Sequence, residues 1–168
     1  MKTVIFALIC SISCLTWAAD KPLEILGTFG EWTAYTYTDS AGKVCYMSAE
    51  PEKSSGKYNK RGDVFLMVQH RPSDKGFDVV NTIAGYTYKK NSTPTISVDG
   101  KVKKSLIVQG DKAWARDAAT DKHIVQQLKA GSKAVLTGVS VRGTKTTDTF
   151  SLKGFSKAYN EISKACGL

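Results

Sequence analysis

Apolar and polar residues alternate with a period of two along most of this chain, the pattern of strands that bury one face. From Thr28 to Tyr37 the aromatic residues Phe29, Trp32, Tyr35 and Tyr37 mix with threonines, which predicts a strand. Asp39, Ser40, Ala41 and Gly42 supply turn residues, and Val44-Cys45-Tyr46-Met47 resumes the pattern, so a β-hairpin is predicted with Cys45 on its second strand. Between Glu50 and Gly62, Pro51, Ser54, Ser55 and Gly56 alternate with lysines and read as a loop. Val64 to Val68 is unbroken apolar sequence, which predicts a strand buried on both faces. Further short strands are predicted at 79–83, 85–88, 95–98, 106–108, 113–115, 135–141 and 147–152, punctuated by turn signals such as Asp99-Gly100 and Gly110-Asp111.

Two stretches change period. Asp121 is placed to cap a short helix over 122–129, in which Ile124, Val125 and Leu128 share a face and which Gly131 stops. After Gly154, the residues Phe155, Ala158, Tyr159, Ile162 and Cys166 recur at helical spacing and predict a C-terminal helix that carries Cys166 toward the sheet. Roughly eight short strands with two helical interruptions predict a mainly β fold, an antiparallel β-sandwich with one short helix and a C-terminal helix.

The N-terminus follows other rules. Met1-Lys2-Thr3, the apolar run Val4 to Leu15 and the small residues Ala18 and Ala19 predict a signal peptide over residues 1–19, cleaved after Ala18 or Ala19. A membrane span needs about 20 apolar residues, and this run is shorter, with Asp20, Lys21 and Glu24 close behind. No transmembrane segment is expected in the mature chain, which is read as one domain over residues 20–168. Cys10 and Cys14 leave with the leader. Cys45 and Cys166 remain, and in an oxidising compartment the simplest expectation is one disulfide between them.

Charge narrows the partners. The chain has 24 Lys and Arg against 15 Asp and Glu, a net +9, which favours an anionic envelope or host-surface component. The lysines are spread along the sequence, so a solvated surface accounts for the same numbers, and export argues against nucleic acid as partner. No metal or cofactor is expected: the mature chain has no Cys-x-x-Cys, no histidine and cysteine cluster at zinc spacing, no Walker loop and no dinucleotide fingerprint. Gly138-Val139-Ser140-Val141-Arg142-Gly143 misses the nucleophile-elbow pattern by one residue and reads as a strand. His70 and His123 are read as ordinary surface or satisfied histidines. A dispersed Ser/His/Asp site is defined by geometry rather than order, which leaves an envelope hydrolase as the alternative to a non-catalytic protein.

Two motifs have a functional reading beside a plainer one. Arg61-Gly62-Asp63 is a tripeptide that some cell-adhesion receptors read from exposed loops, and Gly-Asp before a strand is also ordinary turn chemistry. Tyr86, Tyr88, Lys89 and Lys90 interleave aromatics with bases, as in nucleobase stacking, while core tyrosines beside a solvated turn give the same letters.

Taken in order, Phe29-Gly30-Glu31-Trp32, Gly42-Lys43-Val44-Cys45-Tyr46-Met47, Arg61-Gly62-Asp63, Ala84-Gly85-Tyr86, Ala113-Trp114-Ala115, Gly138 to Thr144 and Thr147 to Phe155 before Cys166 resemble the invasion-associated locus B family of bacterial secreted proteins. The resemblance covers nearly the whole mature chain. It implies a Gram-negative exported protein with an immunoglobulin-like β-sandwich and a role in the invasion of host cells, notably erythrocytes. It brings no enzyme activity and no catalytic residues, and it supports Cys45 and Cys166 as the bridge.

Overall fold

The computed structural model describes residues 21–168; the predicted leader lies outside them. Among the described residues, twelve strands form two antiparallel sheets. The larger sheet contains β1 (Lys21–Phe29), β2 (Trp32–Asp39), β3 (Gly42–Ala49), β5 (Phe65–Arg71), β6 (Gly76–Ile83), β9 (Ile107–Gln109) and β10 (Lys112–Trp114), in the order β1-β2-β3-β5-β6-β10-β9. The smaller contains β4 (Lys53–Gly56), β7 (Thr95–Val98), β8 (Val102–Ser105), β11 (Lys133–Val139) and β12 (Lys145–Ser151), in the order β4-β12-β11-β7-β8.

Alternation explains the layering. Trp32, Ala34, Cys45, Met47, Leu66, Val68, Val80 and Ala113 point to one side of the larger sheet, and Ile96, Val98, Ala134, Leu136 and Phe150 to one side of the smaller. All belong to a single buried cluster that also takes in residues of both helices, which makes the sandwich core. Trp32 ties the layers at one end: its Nε1 donates to the Ser151 carbonyl at 3.0 Å, and its ring meets Phe155 edge-on at 4.8 Å.

The C-terminal helix α2 (Phe155–Ala165) buries Phe155, Ala158 and Ile162, as its periodicity predicts, and packs on β1, β2, β3 and β5. Gly154 opens it at φ +93°, where a side chain is disfavoured and a Cβ would fall 1.7 Å from the Phe29 carbonyl oxygen. Cys166 ends the helix beside β3, and its Sγ is bonded to Cys45 Sγ at 2.05 Å, closing a separation of 121 residues.

The other helix, α1 (Ala118–Ala130), starts a turn earlier than predicted because Asp117 takes the cap, its Oδ1 accepting the Thr120 N–H at 2.8 Å. Asp121 is instead a buried first-turn residue whose Oδ1 accepts the Val80 N–H of β6 at 2.8 Å. Burial, helped by the charges of Asp78 and Asp117, pushes its pKa from 3.8 to about 6 against the opposing Val80 hydrogen bond. Between those two values the native state keeps a proton that the unfolded chain has released, so this group's contribution falls as pH rises through the window. Asp121→Asn keeps an acceptor for Val80 and removes the charge. The substitution is expected to raise unfolding stability by about 1–3 kcal/mol at pH 8 and to be neutral at pH 3; urea titrations at the two pH values measure the difference.

Other boundaries differ for physical reasons. The predicted strand from Thr28 to Tyr37 is broken at Gly30, φ +60°, into β1 and β2, two halves of a hairpin. The expected loop over 50–62 contains β4, an exposed polar edge strand paired with β12. Residues 85–88 make only a single bridge, Tyr88 with Ser140. The apolar strand β5 is not buried on both faces: Leu66 and Val68 are sealed in the core, whereas Phe65 and Met67 are half-buried on the outer side of the sheet.

Candidate functional site

Three segments meet at one end of the sandwich: residues 57–62 leading into β5, residues 84–88 after β6, and the 140–144 turn between β11 and β12. A buried ion pair holds the first segment down. Arg61 reaches across to Asp148 of β12 with two parallel bonds, Nη1 to Oδ1 at 2.6 Å and Nη2 to Oδ2 at 2.8 Å, and its Nε donates to the Ala84 carbonyl at 2.7 Å. The two side chains are 5 % and 1 % exposed. The guanidinium also lies 5.0 Å from the Tyr86 ring centre and 5.6 Å from that of Tyr58. Tyr86 in turn pairs its hydroxyl with Thr146 Oγ1 at 2.6 Å.

Backbone contacts complete the junction. Gly62 N–H donates to the Gly85 carbonyl at 2.9 Å, and a Cβ on Gly85, φ +69°, would sit 2.2 Å from the Gly62 oxygen. Lys89 N–H donates to Val139 and Val141 N–H to Thr87, at 2.9 and 3.0 Å, so the middle segment is stitched to the smaller sheet.

The recess above this clamp has a volume of 690 Å³ and continues past Lys57 and Arg142 into a shallower one of 720 Å³. Exposed Lys57, Lys60, Arg142 and Lys145 stand around it, Tyr58, Tyr86, Ser140 and Thr144 also line it, and among the described residues no carboxylate lines either part. Arg61 is neutralised by Asp148, so the free positive charge comes from the rim. Lysine and arginine side chains around a recess lined by no described carboxylate attract an anion and can hydrogen-bond it.

Of the two readings of Arg61-Gly62-Asp63, this arrangement supports the turn before a strand, because the arginine is spent on a core ion pair and cannot be offered to a partner. Tyr88 is buried and Tyr86 is the floor of the clamp, with Lys89 and Lys90 exposed in the following turn. The pairing of Arg61 with Asp148 is the part that sequence reading missed. A usable signal was present: Thr146, Asp148, Phe150 and Leu152 share the inward side of one strand, and a carboxylate there requires a buried partner.

His70 is fully buried beside the disulfide and does contact a serine, its Nε2 lying 3.3 Å from Ser163 Oγ. Its Nδ1 accepts the Asp78 backbone N–H at 3.1 Å, which places the proton of the neutral ring on Nε2, facing the serine. A serine nucleophile needs the opposite tautomer, with a free Nε2 lone pair. Burial lowers the pKa of this imidazole, with the nearby charge of Lys129 acting in the same direction and Asp78 against it. The pair therefore ties β5 to α2. His123 is half-exposed on α1. Among the described residues no His, Cys, Asp and Glu group could hold a metal ion, and no helix is long and apolar enough to cross a membrane.

Fold and cleft together define a disulfide-tied β-sandwich with a basic recess at one end. Residues 32–163 match the family described as Invasion associated locus B (IalB) protein, and the chain belongs to that family. No curated protein and no solved structure matches it.

Proposed function

We propose that the protein is exported, processed after Ala18 or Ala19, and serves in the bacterial periplasm or envelope as a non-catalytic binding protein for an anionic envelope or host-surface component, contributing to host-cell invasion. The observation that carries this reading is the recess whose rim bears Lys57, Lys60, Arg142 and Lys145 and, among the described residues, no carboxylate. The Cys45–Cys166 bond supports a compartment outside the reducing cytoplasm.

Cosedimentation with anionic and neutral vesicles tests it. Binding is expected to the anionic vesicles alone and to fade as the screening length drops from about 10 Å at 0.1 M salt to about 3 Å at 1 M. Each cation near an anionic surface contributes about 1 kcal/mol, so Lys57→Gln with Arg142→Gln should weaken binding about 30-fold. Lys101→Gln with Lys103→Gln, outside the recess, should do less. Equal, salt-insensitive binding to both vesicle types would remove the mechanism.

A further inference from the structure

The basic recess has an apolar neighbour. A groove of 590 Å³ lies between residues 87–93 and β9, within the range of about 300–1,000 Å³ usual for small-ligand sites. Of the residues that line it, Leu106 is buried, Val108 is half-buried, and Ile107 and Val141 are 49 % and 60 % exposed. Lys90 and Arg116, both exposed, also line it, and among the described residues no carboxylate does.

Recess and groove meet along a ridge. Thr87 and Val141 line both, and the Val141 N–H donates to the Thr87 carbonyl at 3.0 Å. The ridge is uncharged, and Val141 is followed directly by Arg142, which lines the recess. Carboxylates near by are placed elsewhere. Asp63 and Asp111 line a separate hollow of 630 Å³ that meets the recess along Gly62, Gly85, Tyr86 and Thr87 and bounds the positive zone there. Asp117, next to Arg116, is engaged as the cap of α1, accepting the Thr120 N–H at 2.8 Å.

We propose that the anion taken by the recess is the phosphate head of a lipid, whose hydrocarbon chain passes over Val141 into the groove. This rests on the recess being an anion site and names the class of anion. Lys57, Lys60, Arg142 and Lys145 suit a head that carries more than one negative charge, as a phosphate monoester does. Lys90 and Arg116 extend the positive field along the groove, so a neutral or cationic amphiphile is disfavoured. A chain laid against Ile107 and Val141 removes apolar surface from water on both partners. A bare phosphate or a polyanionic glycan would use the cations alone and leave those two side chains in water. Full burial of a methylene strengthens binding about fourfold, the equivalent of about 0.8 kcal/mol. This groove is open to solvent, as the exposure of Ile107 and Val141 shows, so about half of that burial, or about twofold per methylene, is expected.

Isothermal titration calorimetry of the mature, oxidised protein with butyl, hexyl, octyl and decyl phosphate, each below its critical micelle concentration, measures the contribution of the chain. Octyl phosphate should bind at least about 15-fold tighter than butyl phosphate. Octyl glucoside, with the same chain and no charge, should bind at least about tenfold weaker than octyl phosphate. Ile107→Ser with Val141→Ser should flatten the series while leaving the affinity for butyl phosphate and the thermal melt near those of the parent, since both side chains are exposed. Lys57→Gln with Arg142→Gln should weaken every phosphate by a similar factor and keep the slope. Phosphates bound without regard to chain length, a slope unchanged by the Ile107 and Val141 substitutions, or dextran sulfate bound where octyl phosphate is not, would each overturn the lipid assignment and leave the anion site standing. Octyl glucoside bound as tightly as octyl phosphate, or no binding of any anion, would overturn both.

Discussion

Asp148→Asn is expected to destabilise the fold by about 3–5 kcal/mol, the cost of stranding the buried Arg61 guanidinium without its counter-charge. The substitution preserves shape and leaves oxygen and nitrogen where the carboxylate oxygens stand, so packing alone predicts almost nothing and the two accounts separate cleanly. Arg61→Met should cost a similar amount, because a carboxylate is then buried alone. The double variant Arg61→Met/Asp148→Leu should lose much less than the sum, since neither charge remains to be desolvated. A double-mutant cycle by urea unfolding measures the coupling, and additive losses would mean that the ion pair contributes little. Function should follow stability here: the pair pins residues 57–62, so a loosened loop also scatters Lys57 and Lys60 and weakens binding to anionic vesicles.

The second large effect concerns the covalent tie. Cys45→Ala/Cys166→Ala reopens a closed loop of 121 residues, for which unfolded-chain entropy gives about 4–5 kcal/mol. The folded state should survive, because α2 still buries Phe155, Ala158 and Ile162 against the sheet. Urea unfolding of the oxidised parent, the parent with excess dithiothreitol and the double variant should place the last two together, well below the first. Coincidence of all three curves would show that the bond constrains nothing.

What the sequence revealed depended on whether the signal was local. The hairpin turn at Asp39–Gly42 and helix α2 carry their own residues: turn formers between two alternating runs, and three core contacts at helical spacing. The break at Gly30 was hidden because aromatic and β-branched residues continue on both sides, and only the positive φ of one glycine divides the strand. β4 and β8 were invisible for a related reason. Lys53-Ser54-Ser55-Gly56 and Val102-Lys103-Lys104-Ser105 are edge strands, held by backbone pairing to a neighbour, and lysine there prevents aggregation instead of marking a buried face. The basic cleft was legible only as excess charge. Its organising contact joins residues 87 positions apart, and no periodicity within either segment names the other. Asp121 shows the same limit on a smaller scale, since an aspartate near a helix start suits a cap until Asp117 takes that role.

Loop 57–62 and the recess are arranged by a fold whose C-terminal helix is tied back by the Cys45–Cys166 bond, and such bonds form and persist in oxidising compartments. Intact-mass measurement of the protein recovered from its native host, without reductant, tests that most directly. The account predicts a chain beginning at Ala19 or Asp20 and lighter than the dithiol by two hydrogens. A chain that keeps its leader, or one in which both thiols are free to alkylate, would contradict it.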